Sequence, residues 1–237
     1  MNSRFTHRSS DVEVMDDLSC SGEVVSQTLR ELEIINRTLG GNNVTLNGLQ
    51  QLMTANPSQK TFTIADLGCG GGDILKRVAE WGAENEFVFH LTGIDANPNI
   101  IAIAQKNTRG YSNIHYKTVN VLSKEFQEQK FDVILATLFM HHFSDDQLID
   151  MLKGLKQQAQ TGVVINDIHR HWFAYHSVQW LTKLFSNSAM VKIDAPLSVL
   201  RAFKRPELES ILERAGIKTY SLRWSWAFRW RLVVPAY

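Results

Sequence analysis

Five consecutive residues, Gly68-Cys69-Gly70-Gly71-Gly72, constrain this 237-residue chain more than any other stretch. The apolar run 62–67 stops at them, and helical spacing begins at Ile74 and continues to Trp81. Glycines admit positive φ and let a ligand approach the backbone closely. The helix that follows aims free N–H groups and a positive dipole end at whatever lies in the loop. The same alternation continues downstream. Residues 87–94, 114–121, 131–136 and 163–165 read as strands, and 99–107 as a helix between them. Ser144 with Gln147 three residues on is a capping-box pattern, and Leu148, Met151, Leu152 and Leu155 supply that helix's apolar stripe. Strands alternating with helices predict an α/β fold: a doubly wound, mostly parallel sheet with helices on both faces.

The flanks are less regular. Residues 1–20 are polar and read as a loosely held arm. Ser21 caps a helix carrying Val25, Leu29, Leu32 and Leu39, and Gly40-Gly41 ends it. Thr45 caps a shorter helix through Met53, and Asn56-Pro57-Ser58 breaks the chain. The division expected is an N-terminal arm and helical cap over 1–58 and a main domain over 59–237. Past Asp167 the spacing over 172–185 is helical and aromatic, which places a lid insertion at about 168–205. Pro206 opens another helix with Leu208, Ile211, Leu212 and Ala215 as its stripe and Gly216 as its stop. Trp224, Trp226, Phe228 and Trp230 alternate with smaller or polar residues, which predicts one strand with an aromatic face.

A formal net charge of +1 argues against a nucleic-acid partner. The first ten residues contain no apolar core of a secretory signal. The longest apolar runs, such as 133–140, are too short to insert stably in a bilayer. The two cysteines, Cys20 and Cys69, imply no disulfide framework, and a cytoplasmic location is expected.

Spacing narrows what the loop can hold. A dinucleotide fingerprint needs a third glycine where Asp73 stands. A phosphate loop needs Gly-Lys, a pair absent from the chain. The stretch Asp66-Leu67-Gly68-Cys69-Gly70-Gly71-Gly72 resembles motif I of the class I methyltransferases. Gly93-Ile94-Asp95 resembles the acidic end of their second strand. Phe131-Asp132-Val133-Ile134 with His141-His142-Phe143 resembles their fourth strand and its exit. The likeness covers roughly residues 60–167. It implies a seven-stranded Rossmann-like sheet and S-adenosylmethionine as cofactor, a molecule without phosphate whose cationic groups tolerate nearby acid. It implies cofactor contacts at Asp66, Gly68, Cys69, Gly70, Asp95, Ala96, Asn120, Val121, Thr137 and Leu138. Asp95 would accept both ribose hydroxyls; the alternative is a helix cap. Asn120 stands where many members carry an acid for the adenine amino group. Arg37 is a candidate for the cofactor carboxylate; the alternative is a solvated surface arginine.

Methyl transfer needs alignment and, for a hydroxyl acceptor, a base, for which histidine suits neutral pH. His141 and His142 follow the fourth strand, and His169, His171 and His176 follow the fifth. Ligands in doubly wound sheets bind beyond the carboxyl ends of strands. His169 is the first candidate base and His142 the second; hydrogen-bonded packing is the alternative for each. No acid or cysteine stands among His169, His171 and His176, so no metal site is expected there. Trp172, Phe173, Tyr175 and Trp180 are lid or core residues, and the aromatic supply suits a small, flat or lipid-like acceptor. The segment from Pro196 to Gly216 is similar to small-molecule methyltransferases found beside bacterial type III polyketide synthases. That likeness implies O-methylation of a phenol or quinol bearing an alkyl chain. C-methyltransferases of quinone pathways share much of the pattern, and a non-catalytic cofactor-binding domain acting through a protein or RNA partner is a third reading.

Overall fold

The computed structural model describes residues 3–236. Helices α1 (Gly22–Thr38) and α2 (Gly41–Ala55) precede the sheet. There follow β1 (Thr61–Leu67), α3 (Asp73–Glu84), β2 (Val88–Asp95), α4 (Pro98–Asn107), β3 (Ile114–Thr118), α5 (Lys124–Gln127) and β4 (Phe131–Thr137). Then come α6 (Asp145–Gln158), β5 (Ala159–Ile168), α7 (Trp172–Phe185), α8 (Ala189–Arg201) and α9 (Arg205–Arg214), with β6 (Ser221–Ser225) and β7 (Arg229–Pro235) last. The strand order is β3-β2-β1-β4-β5-β7-β6, parallel except at β7, which pairs antiparallel with both β5 and β6. The α/β sheet is therefore seven-stranded and mostly parallel, with the order reversing between β1 and β4. That reversal opens the crevice in which doubly wound sheets bind ligands.

The central strands β1, β4 and β5 are buried on both faces, as parallel strands covered by helices must be. Ile134, Leu135, Val133 and Ile64 are fully enclosed. One core lies under α6 and α9, the other under α2 and α3. Helix α2 packs closely on the central strands because Gly48 faces Val164; a Cβ there would sit 2.4 Å from Val164 Cγ1. The Ser144–Gln147 box is formed, with Gln147 N–H donating to Ser144 Oγ at 3.3 Å and Ser144 N–H to Gln147 Oε1 at 3.0 Å.

Three features differ from the expectation. The aromatic run is not one strand: β6 and β7 form a hairpin that pairs Trp224 with Trp230, and Phe228 turns the chain at φ 54°. Period-two alternation cannot reveal a turn whose residues are themselves aromatic. Residues 189–201 form α8 with Pro196 inside it, a helix the lid estimate did not resolve. The N-terminal arm is tied down rather than loose. Arg8 donates to Arg201 O at 2.7 Å and Phe143 O at 2.8 Å, and Ser9 N–H to Leu200 O at 3.0 Å. The buried Arg170 donates to Phe5 O and Thr6 O, both at 3.2 Å. These anchors join residues far apart in the chain, so no local pattern announces them.

Candidate active site

The carboxyl ends of β1, β2, β4 and β5 open into one cavity of about 720 Å³. Its near half is built by the glycine loop. Gly68, Gly70 and Gly72 have φ of 63°, 49° and 79°. At Gly68 a Cβ would also lie 2.1 Å from Phe139 Cδ2, so two independent constraints require glycine there. Asp66, at the end of β1, is buried, and its Oδ1 has no hydrogen-bond partner. Burial, reinforced by Asp73 and Asp95, pushes its carboxyl well above the usual range. Asp95 ends β2 and accepts from Asn97 N–H at 2.9 Å. Burial raises it too, against backbone N–H groups that favour the ionised form. Cys69 is buried, and its thiol is pushed up by burial and by Asp66 and Asp95, which keeps it a packing group rather than a nucleophile.

Ala96, Asn120, Val121, Thr137 and Leu138 line the same cavity, so ten of the eleven expected cofactor positions converge. Asn120 Oδ1 accepts from Leu122 N–H at 2.9 Å, so it shapes its own turn. The Thr137 and Thr45 hydroxyls share a hydrogen bond of 2.8 Å that fixes the end of β4 against α2. Arg37 is the exception: it is exposed on α1 and stands outside the cavity lining, whereas Asn36 and Glu33 face in.

The histidines separate sharply. His142 lines the cavity, and its Nδ1 meets Asp16 Oδ1 at 2.6 Å. His169 stands outside the lining, with its ring 5.0 Å from the Trp230 ring and its Nδ1 accepting from Trp224 Nε1 at 3.2 Å. Burial and the neighbouring cations lower its pKa to about 4. Of the expected lid aromatics only Phe173 reaches the cavity; Tyr175 packs on Phe5, and Trp172 and Trp180 are exposed.

Several site residues were not singled out as site candidates from the sequence. His141 is 2% exposed and Asp167 1%. His141 Nδ1 lies 2.7 Å from Asp167 Oδ1, and the His141 N–H donates to Asp167 Oδ2 at 3.2 Å. Burial opposes ionisation of Asp167, yet His141 and the Ile168 N–H hold it below the usual carboxylate range. An ionised Asp167 fixes the imidazole proton on Nδ1 and leaves Nε2 as the acceptor. From the arm, Glu13 and Asp16 reach in. Glu13 is 4% exposed, accepts from Ser198 Oγ at 2.8 Å, and burial raises its pKa to about 7. Asp16 is held far below the usual range despite partial burial, because His142 and Arg201 bond to it; Arg201 Nη1 is 2.6 Å away. Nothing local in a polar arm signals these partners, which stand more than a hundred positions away.

Ligand atoms of Glu13, His141 and His142 lie within 4.8 Å of one another, a donor set of the kind that holds metals. Arg201 Nη1 stands 3.4 Å from Glu13 Oε1, so a cation already occupies that side, and the set reads as an ion-pair network. The remaining wall is apolar: Phe139, Phe143, Ile168, Phe173, Val178 and Phe228 among others. No helix among the described residues is long and apolar enough to cross a membrane.

Residues 64–162 match the family described as methyltransferase domain. The ubiquinone biosynthesis O-methyltransferase of Bartonella quintana (strain Toulouse) is 26% identical over 133 residues, which is 52% of this chain and 51% of that one. Its namesake from Coxiella burnetii (strain Dugway 5J108-111) is 28% identical over 139 residues, 56% of this chain and 53% of that one. The matches thus span about half the length of these relatives. Among solved structures, the plantazolicin methyltransferase BpumL in complex with SAH superposes with a TM-score of 0.63 at 15% identity, over 89% of this chain and 98% of that one. Human N-acetylserotonin methyltransferase in complex with SAM gives 0.62 at 12% identity, over 90% of this chain and 56% of that one. At such identities the structures establish a shared fold. With the motif I loop inside that fold, residues 64–162 of this chain are a methyltransferase domain.

Proposed function

We propose that this protein transfers a methyl group from S-adenosylmethionine to the hydroxyl of a small, hydrophobic, phenolic acceptor. One observation carries the reading: a single cavity runs from the glycine loop and Asp95, past apolar walls, to the buried His141–Asp167 pair. Four carboxylates, Glu33, Asp66, Asp73 and Asp95, line the loop half. Such surroundings disfavour a pyrophosphate and favour a ligand with cationic groups and free hydroxyls. The unpaired Asp66 Oδ1 is an acceptor waiting for a donor, and Asp95, which lines the same cavity, offers carboxyl oxygens that a ribose diol would meet. The cofactor supplies an electrophilic methyl on a cationic leaving group.

The chain's own part is to align, to exclude water and to take a proton. The cavity walls named above desolvate the acceptor. His141 Nε2 takes the phenolic proton while Asp167 holds the ring and stabilises the imidazolium that forms. His169 is the weaker candidate, because it stands outside the cavity and a pKa of about 4 makes it a weak proton acceptor. His142 is committed to Asp16 at Nδ1 and serves to position the arm. The relatives named O-methyltransferases agree with transfer to oxygen. His141→Gln is expected to lower turnover of a phenolic acceptor by about 10²- to 10⁴-fold, with cofactor affinity unchanged, while His169→Ala keeps full turnover. The assay is radiolabelled methyl transfer across a set of alkyl phenols, with product analysis to separate O- from C-methylation. Full activity in His141→Gln and loss in His169→Ala would reverse the assignment.

A further inference from the structure

Arg229 opens β7 opposite Ile168, at the sheet edge where β1, β2, β4 and β5 end, and it lines the cavity. It is 5% exposed, and its Nη1 has no hydrogen-bond partner. Among the described residues no carboxylate stands within ion-pair distance of it. Asp167 influences it through space but spends its oxygens on His141 and the Ile168 N–H. Burial lowers its pKa only to about 10, so the charge persists at neutral pH. A buried, unpaired guanidinium is expensive for a fold and calls for an anion from outside the chain.

Its surroundings define that anion. The guanidinium presses on the first residue of α2: a Cβ on Gly41 would lie 2.9 Å from Arg229 Nη2 and 1.9 Å from Asn36 Oδ1. Helix α2 is 15 residues long, and its N-cap, Gly40, brings no side chain to its first N–H groups. Guanidinium and helix end add their positive fields at one spot. Asn36 Oδ1, also buried and without a partner, faces the same place, while its Nδ2 donates to Asn42 Oδ1 at 2.5 Å. Cationic donors thus stand beside an unpaired amide oxygen, and the carboxylate oxygen Asp66 Oδ1 is unpaired in the same cavity. That pattern complements an α-amino-acid head, with carboxylate on one side and ammonium on the other. A phenol carboxylate offers only the anion.

We propose that Arg229 and Asn36 form the subsite for the amino-acid end of the cofactor, with Arg229 taking its carboxylate. The inference rests on the cofactor reading above. It moves the carboxylate partner from the exposed Arg37 to the opposite end of the chain.

The test is calorimetric titration of the full chain, wild type and Arg229→Gln, with S-adenosylhomocysteine and with methylthioadenosine, which lacks the amino-acid arm. Loss of a charge-assisted pair should weaken S-adenosylhomocysteine by about tenfold to a hundredfold, leave methylthioadenosine within about twofold, and be partly restored by Arg229→Lys. Arg37→Gln should change neither. Because an unpaired charge is removed, the ligand-free variant should melt no lower than wild type. Equal weakening of both ligands, or none, overturns the subsite. Unchanged S-adenosylhomocysteine with weakened 4-hydroxybenzoate assigns the carboxylate to the acceptor and overturns it too. A wild type that binds neither nucleoside refutes the cofactor reading itself, a different failure from a wild type that binds both and a variant that does not discriminate.

Discussion

Glu13→Gln tests whether the arm is a structural part of the cavity. Glu13 is buried, and its Oε1 lacks a hydrogen bond while Oε2 accepts from Ser198. Burial raises the pKa from 4.5 to about 7, with Arg201 and His142 opposing the rise. The sign follows from linkage: the folded state holds this proton more tightly than the unfolded chain, so folding is favoured at low pH, and stability is lost as pH rises from 4.5 through 7. Integrated over those two values, ionisation costs about 1 kcal/mol at pH 5 and about 3 kcal/mol at pH 8. Glutamine keeps the acceptor for Ser198 and removes the charge. Glu13→Gln should therefore exceed wild type in stability by about 2 kcal/mol more at pH 8 than at pH 5. In a chain of this size that is a difference of roughly 4 to 8 °C in Tm. Thermal unfolding of both proteins at the two pH values reads it directly. A gap that does not widen with pH would refute the reasoning and would mean that the arm lifts away and lets Glu13 ionise in water.

Gly68→Ala should fail in two ways, since φ of 63° and a 2.1 Å approach to Phe139 both forbid a methyl; a cost of about 2 kcal/mol or more in urea unfolding, with cofactor binding lost, is expected. Asp95 accepts from both ribose hydroxyls at full strength only when ionised, and burial raises its pKa. Cofactor affinity should consequently fall as pH drops through that raised value, while in Asp95→Asn the same titration should be flat.

The legible parts of this molecule are those written in local pattern. The run 62–67, the glycines after it and Asp95 at the end of β2 announce strand, loop and acid through short spacings. The capping box at Ser144 and Gln147 and the helix Trp172–Phe185 were equally plain, because propensity and packing agree there. Ten of the expected contact positions converge on one cavity for the same reason: strand ends in a parallel sheet meet at one edge. What stayed hidden depends on distance. Asp167 meets His141 only once β4 and β5 lie side by side, and the proposed base is His141 rather than His169 on the strength of that contact. Glu13 and Asp16 acquire meaning only through Ser198 and Arg201, 185 positions away in each case. Arg229 looked like one more residue in an aromatic ladder until the turn at Phe228 brought it to the cavity.

The central claim is that the loop from Asp66 to Asp73 and the acid at Asp95 hold S-adenosylmethionine. Isothermal calorimetry of wild type and Asp95→Ala with that cofactor tests it most directly. The account predicts saturable binding with one site per chain and a loss of at least about tenfold in the variant, from two charge-assisted hydrogen bonds. No heat with wild type, or equal affinity in the variant, would contradict it.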